Sequence, residues 1–418
     1  MAVSVTVHRG ANQIGGTITE IATEKTHILI DCGAALPGSY GTVRDEDIVR
    51  MLQERHFDAV LFTHYHGDHT GLMDRIPVDV PLYMDEVMKT ILTTLNQYTR
   101  NEAMNALLKN ADGRIRTFLP PKAFTVGDMK ITPFFVDHSA YHANMFLIEA
   151  GGQTILVSGD FRSAGYLGKS LDQIPKLLEK FHKTVDVLLC EGTMMTRYVK
   201  AERLLNEWEL QKEAETFLQT HRQAYVLCSS TNFDTISSIY HAARKNGLKV
   251  YANGYICAML HTFSDIAGKQ TGLYKLKGVR HSRQLTDEAK DGFVLLLGTC
   301  LGMSPRGLDY FYDFLTDGVE EPWLIYSMWK GYLNPKHSAY NSHLAGFVSR
   351  FGERVNYAHT SGHADRKTLA RFIEAVKPQK YILPFHTENA EGFRVLGVED
   401  KYKDRVRVMK DGEMIDIQ

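Results

Sequence analysis

The sequence predicts an α/β protein built as two units, and two features carry that prediction. Short apolar runs repeatedly end in a histidine or an acid: "AVLFTHYHGDH", "KITPFFVDHS", "TILVSGDFR", "DVLLCEGT" and "YILPFHTE". Rigid strands that pass polar side chains to the loops at their ends are what a site on the rim of a sheet requires. Between residues 195 and 350, strand-like runs then alternate with helical patterns at the spacing of a separate parallel sheet. With 418 residues, 44% of them hydrophobic, the chain has material for two domains or one elaborated domain.

Along the chain, "VSVTVH" alternates as a strand, "GANQIGG" turns, "TITEIA" alternates again, and "THILIDCG" is a strand ending in Asp31. Asp45 to His56 has helical spacing through Ile48 and Leu52 and feeds "DAVLFTH". Val87 to Leu108 reads as one long helix, followed by strands in "KITPFFVDHS", "MFLIEAGG" and "TILVSGDFR". Past "DVLLCEGT", "AERLLNEWELQKEAETFLQTH" is an amphipathic helix. Then come a strand "AYVLCSS", a helix "TISSIYHAARKNG", strands "KVYAN" and "GFVLLLG", a helix around "LDYFYDFL", and a strand "PWLIYSM". "HTSGHADR" precedes a helix, "YILPFHTE" is a strand, and "RVRVMKDGEMIDIQ" reads as a strand pair about a "KDG" turn.

A net charge of -1 excludes bulk attraction to nucleic acid or anionic membrane, so any polyanion must be met by a local basic groove or a metal. No apolar run reaches the roughly 18 residues of a membrane span, and the N-terminus lacks basic and apolar leader regions. A cytoplasmic protein without membrane contact is expected. Cys32, Cys190, Cys228, Cys257 and Cys300 are scattered, mostly in apolar runs, and form no CxxC pair, as expected of reduced core thiols.

The chemistry concentrates in "HYHGDH". Period-2 spacing puts His64 and His66 on one side of an extended segment, and Asp68 with His69 follows at a turn that aims at a second point. A histidine pair beside an Asp-His pair has the composition for two neighbouring divalent cations. Further ligands are expected from the strand ends, at His138, Asp160 and His386. Asp160 is the carboxylate suited to bridging, and Asp31 suits orienting a ligand imidazole through its free N–H. His8, His142, His182 and His241 are read as surface or core residues.

"THYHGDHTG", with "DCG" before it and "DHS" and "SGDF" after it, resembles the metallo-β-lactamase superfamily. The resemblance implies an αββα sandwich with a two-metal site. His64, His66 and His138 would hold one cation, Asp68 and His69 the other, with Asp160 between them. "LLCEGT", "HTSGHAD" and "LPFHTE" look like the three markers of the β-CASP nucleases, most like the ribonuclease J branch without its C-terminal domain. On that likeness, residues 1–194 and 351–418 are the two parts of the metallo-β-lactamase domain, and residues 195–350 are an inserted β-CASP α/β domain. His386 would complete the second cation's shell, and His363, supported by Glu191, would contact the scissile phosphate. "YSMWKGYLN" departs from the loop expected of the family at that place.

The implied function is a ribonuclease that hydrolyses phosphodiester bonds of single-stranded RNA with two zinc ions, manganese suiting the same ligands. Asp68, Glu191 and His363 are its candidate catalytic residues. Ser361, Gly362 and His363, ahead of a helix, are candidates for cradling a phosphate on backbone N–H groups. Lys269, Lys275, Lys277, Arg280 and Arg283 around Tyr274 form a basic strip that is either a strand track or a solvated loop. Trp329 and Lys330 are a second stacking-plus-charge candidate. The alternatives are a DNA-directed β-CASP nuclease, a small-molecule metallohydrolase of lactonase or thioesterase type, and a metal protein that binds RNA without cutting it. A homo-oligomer is compatible with all of these.

Overall fold

The structure is a computed structural model that describes residues 2–39, 41–197, 204–268, 271–285, 291–299 and 322–418. The chain divides into two compact units, the first comprising Met1–Ser163, Leu167–Glu202 and Gly362–Gln418, the second Ala164–Tyr166 and Arg203–Ser361. The second unit thus runs past residue 350. The cause is the strand Val355–Tyr357, which pairs in parallel with Trp323–Ser327 and so belongs to that unit's sheet.

Two mixed sheets make the first unit. One runs Glu413–Ile417, Val3–Arg9, Ile18–Ala22, His27–Ile30, Ala59–Leu61, Leu82–Asp85, Ile115–Phe118; the other runs Tyr381–Phe385, Val187–Glu191, Gln153–Val157, Ala143–Ala150, Met129–Val136, Phe124–Val126. Strand alternation splits each apolar set between two faces. Val5, Val7, Ile28, Ile30 and Leu61 of the first sheet share one core with Ile131, Ile148, Ile155, Val157 and Leu189 of the second. The alternate residues Leu147, Leu156, Leu188 and Ile382 point the other way, onto Leu369, Phe372 and Ile373 of the helix Arg366–Val376. The result is the metallo-β-lactamase sandwich, with helices outside two facing sheets.

Two local expectations are corrected. The helix read from Val87 to Leu108 is two helices, Glu86–Thr99 and Glu102–Leu108, because Arg100 adopts φ 58° and Asn101 caps the second by accepting the Met104 N–H. The C-terminal strand pair is not a hairpin. Val406 bridges Ile382 of the second sheet, whereas Glu413–Ile417 joins Val3–Arg9 of the first, so the "KDG" segment crosses between sheets.

The second unit has a six-stranded, all-parallel sheet in the order Arg280–His281, Lys249–Ala252, Phe293–Thr299, Gln223–Ser229, Trp323–Ser327, Val355–Tyr357. Tyr225, Leu227, Leu295, Leu297, Leu324 and Tyr326 pack on one face with Leu344 and Phe347 of the helix Ser342–Ser349. The helix expected around "LDYFYDFL" lies outside the described residues, as do Cys300 and Lys269. Cys32, Cys190 and Cys228 are buried free thiols, and burial pushes each above the ordinary thiol range. Among the described residues no helix is long and apolar enough to cross a membrane.

Candidate metal centre

The strand Ala59–Leu61 ends just before Thr63 and His64, and His66 is the N-cap of the short helix Gly67–Thr70, which carries Asp68 and His69. Its backbone is locked to the residues that flank the strands Ile18–Ala22 and His27–Ile30. Asp68 O accepts from Thr17 N at 3.0 Å and His69 O from Cys32 N at 2.8 Å. A Cβ at residue 33 would lie 1.7 Å from Asp68 O, so only glycine allows this approach. Fully buried Arg9 fixes the same corner, donating from Nε to Gly16 O at 2.7 Å and from Nη2 to Gly33 O at 2.5 Å. The strands Met129–Val136, Gln153–Val157, Val187–Glu191 and Tyr381–Phe385 deliver His138, Asp160, Glu191 and His386 to the same place.

Hydrogen bonds set which nitrogen of each imidazole keeps its lone pair. His138 Nδ1 lies 2.5 Å from Gly362 O, which can only accept, so Nδ1 carries the proton and Nε2 the lone pair. Asp31, 1% exposed and at φ 60°, accepts from His69 Nδ1 at 2.7 Å and from Thr63 Oγ1 at 2.8 Å. With its proton committed to Asp31, the Thr63 hydroxyl accepts from His64 Nδ1 at 3.0 Å. One carboxylate therefore directs two imidazoles. Thr193 Oγ1 donates to His386 O at 3.3 Å and accepts from His386 Nδ1 at 2.7 Å. All four Nε2 lone pairs then face the cluster.

Acceptors face acceptors around His69, His386 and the two aspartates, and the lone pair of His138 Nε2 meets His66 Nδ1. His66 Nδ1 and His138 Nε2 are 3.2 Å apart, His386 Nε2 is 3.3 Å from Asp68 Oδ2, and His69 Nε2 is 3.2 Å from Asp160 Oδ2. His64 Nε2 and Asp160 Oδ1 are buried with no hydrogen-bond partner. Only protons or cations between such groups relieve the arrangement. Nitrogens bound tetrahedrally at about 2.05 Å stand about 3.3 Å apart, close to the His66–His138 spacing. The donor set, imidazole with carboxylate, is that of borderline divalent cations, so these residues fit metal ions.

Four groups have donor atoms close enough to share an ion: His64, His66, His138; Asp68, His69, His386; His64, His69, Asp160; and Asp160, Glu191, His363, His386. Asp160 occurs in two of them. Burial lowers the basicity of His64 and His138 and pushes His66 down to about 4, which keeps these rings unprotonated at neutral pH. Burial opposes ionisation of Asp68, but the neighbouring imidazoles of His386 and His69 outweigh it and hold its carboxyl below the ordinary range.

Glu191 is fully buried and braces the returning chain. Its Oε2 accepts from Thr193 N at 2.8 Å and its Oε1 from Ala364 N at 3.0 Å. His363 Nδ1 stands 3.7 Å from Glu191 Oε1 and 3.6 Å from Asp160 Oδ2, and the ring is 18% exposed. Burial disfavours its cation, but those two carboxylates prevail and raise its pKa.

Other expectations fare differently. Ser361 belongs to the second unit, Gly362 spends its carbonyl on His138, and the helix start expected to cradle a phosphate is capped by Asp365, which accepts Thr368 N at 2.7 Å. Tyr274 of the basic strip is 2% exposed and donates its hydroxyl to Asp234 Oδ1 at 2.6 Å, so it offers no stacking face. His142 pairs with Asp85 at 3.2 Å and His8 with Glu20 at 2.8 Å. Thr63, Thr193 and Arg9 escaped the sequence reading. The first two stand inside quoted motifs, "FTH" and "EGT", while a lone arginine in a strand gives no signal.

Residues 26–228 match the model of a beta-lactamase superfamily domain, and residues 352–409 match that of a Zn-dependent metallo-hydrolase RNA specificity domain. The chain is 22% identical to ribonuclease J of Helicobacter pylori over 447 residues, covering 100% of this chain and 60% of that protein. It is 22% identical to ribonuclease J of Mycoplasma genitalium, covering 91% and 67%, and 23% identical to transcription termination factor FttA of Methanococcus maripaludis, covering 91% and 66%. The chain thus spans about three-fifths of the length of the first of these relatives. In fold it is similar to a solved protein of unknown function from Enterococcus faecalis, with a TM-score of 0.73, 19% identity and full coverage of both chains.

Proposed function

We propose that this chain, a member of the metallo-β-lactamase superfamily, is a β-CASP-type ribonuclease that hydrolyses phosphodiester bonds of single-stranded RNA with two zinc ions. The observation that supports the reading most is the meeting of distant residues. Glu191, His363 and His386 share Asp160 with the His64–His69 segment. The match of residues 352–409 to an RNA-specificity model and the ribonuclease J relatives point to RNA. In this reading the second unit is the inserted β-CASP domain, and the location is cytoplasmic.

His64, His66 and His138 would hold one cation, Asp68, His69 and His386 the other, and Asp160 would face both. Bound there, such cations supply Lewis acidity that lowers the pKa of water to about 7 and offsets phosphate charge. The chain's own residues do the rest. Asp31, Thr63, Thr193 and Gly362 fix the tautomers of His69, His64, His386 and His138 so that none of these four rings presents a proton toward the cations. His363, poised between Asp160 and Glu191, is drawn by these carboxylates toward its protonated form and delivers that proton to the departing 3′ oxygen as general acid. Glu191 acts as a positioning residue, since it holds both the ring and the backbone that follows it.

The test is cleavage of end-labelled single-stranded RNA. Asp68→Ala and His363→Ala should each lower the rate by at least about a hundredfold while circular dichroism stays native. Full activity in both variants would overturn the assignment. Matched substrates (5′-monophosphorylated, 5′-triphosphorylated and circular RNA, with DNA counterparts) sort exonuclease from endonuclease action and RNA from DNA.

A further inference from the structure

The parallel sheet of the second unit ends in an aromatic surface that no part of the metal chemistry uses. Trp323–Ser327 and Val355–Tyr357 are parallel neighbours in the register Tyr326 to Tyr357, so their C-terminal ends emerge on one edge. In open α/β sheets that edge is where ligands bind. Tyr357 is 47% exposed, and Lys330 Nζ sits 5.1 Å from its ring centroid. Tyr340, on the loop that leaves the first of these strands, is 39% exposed. Trp329 on the same loop is half-buried, held edge-on by His337 with ring centroids 4.6 Å apart. A Cβ at residue 331 would fall 2.3 Å from the indole, so the glycine lets that ring fold back and stay upright.

Charge singles out the same segment. The loop that leaves Trp323–Ser327, residues 328 to 341, carries Lys330 and Lys336 and no acid, in a chain of net charge -1. Exposed rings beside cations, on a loop without an acid to repel phosphate, are the makings of a single-strand track. Bases stack on aromatic faces and the backbone follows the cations. Duplex RNA, with its bases already stacked, has no such faces to give.

We infer that Trp329, Lys330, Tyr340 and Tyr357 form a stacking platform for unpaired bases of single-stranded RNA. The identity of the polymer rests on the nuclease reading above; the platform rests on this surface. It also gives a use to "YSMWKGYLN", the stretch in which the sequence leaves the family pattern.

The experiment measures fluorescence anisotropy of a short labelled oligoadenylate with the full chain and its metals, carried on the His363→Ala background so that the probe survives. Tyr357→Ala and Tyr340→Ala should each weaken binding about tenfold, Tyr357→Phe should restore it, and an RNA duplex of equal length should bind alike to all. Lys330→Gln should flatten the salt dependence by about 0.7 in the log–log slope. Unchanged oligoadenylate affinity in both alanine variants overturns the platform. So does an oligomer that dissociates on Tyr357→Ala while RNA binding holds, because the face then belongs to a protein contact. Hydrolysis is assayed separately, with the unaltered chain on bis(p-nitrophenyl) phosphate. Ring-dependent binding without hydrolysis leaves the platform standing and removes the nuclease reading; hydrolysis with ring-independent binding does the reverse.

Discussion

Replacing Asp31 by asparagine tests whether one carboxylate sets the protonation of two imidazoles. In the native site Asp31 accepts three donors: Thr63 N at 2.8 Å, Thr63 Oγ1 at 2.8 Å and His69 Nδ1 at 2.7 Å. Asparagine keeps the size, and it tolerates the left-handed backbone found there at φ 60°. Its oxygen can still serve Thr63 N, but its NH2 then confronts two donors. His69 must move its proton to Nε2, and the Thr63 hydroxyl must turn toward the amide and release His64. Two protons now point where cations would bind. Losing one such orienting partner costs about 10- to 100-fold in metal affinity, so two coupled losses should cost about a hundredfold or more. The assay is zinc competition against a chromophoric chelator, with denaturant titration of the metal-free protein alongside. Asp31→Ala should also destabilise the metal-free fold by about 3 to 6 kcal/mol, because it strands three buried donors. Zinc affinity unchanged in Asp31→Asn would refute the relay.

Three further outcomes are expected. Gly33→Ala should lose zinc and unfold at lower denaturant, since its Cβ would stand 1.7 Å from Asp68 O; equilibrium denaturation and metal content check this together. Glu191→Gln should keep the bound metal but slow RNA cleavage about a hundredfold and shift the alkaline limb of its pH profile, because His363 loses an anionic neighbour 3.7 Å away. Glu20 is also informative. Burial opposes its ionisation, yet hydrogen bonds from His8, His27 and Arg55 draw its pKa from 4.5 to about 2. The folded state therefore holds the carboxylate more tightly than the unfolded state. That stability is full above pH 4.5 and fades as pH falls toward 2. His27 and Arg55 are 41% and 42% exposed, so solvent screening trims the contribution to about 2 kcal/mol. Urea titrations of Glu20→Gln and the native chain should differ by that amount at pH 7 and converge in strong acid; a gap independent of pH would sink the linkage.

Where chemistry is compressed into a few residues, the sequence exposes it. His64, His66, Asp68 and His69 lie within six positions, and the strand–polar pattern that led to His138, Asp160 and His386 is local at each end. Partners supplied across the chain are harder to see. Thr193 meets His386 from 193 positions away, and Gly362 offers His138 a backbone carbonyl, a group every residue has. Single backbone angles also hide: nothing in "YTRNE" announces that Arg100 turns left-handed and ends a helix. The C-terminal "KDG" misled for a topological reason. A turn signal says that the chain reverses, but not that the two arms serve different sheets.

The crossing at that turn bears on the order in which the molecule is assembled. Val3–Arg9 leaves the ribosome well before its partner Glu413–Ile417, from which almost the whole chain separates it. Until that partner arrives, one edge of the first strand has bare N–H and C=O groups, a template for pairing with other nascent chains. Asp68 waits equally for His386, some 320 residues downstream by subtraction, and His386 enters beside the N-terminal loop by donating its N–H to Gly10 O at 2.6 Å. A truncated translation product would therefore carry the complete "HYHGDH" cluster and an open sheet edge, yet lack the imidazole that meets Asp68. Closing the sheet and completing the metal site thus depend on the same few dozen residues of this chain.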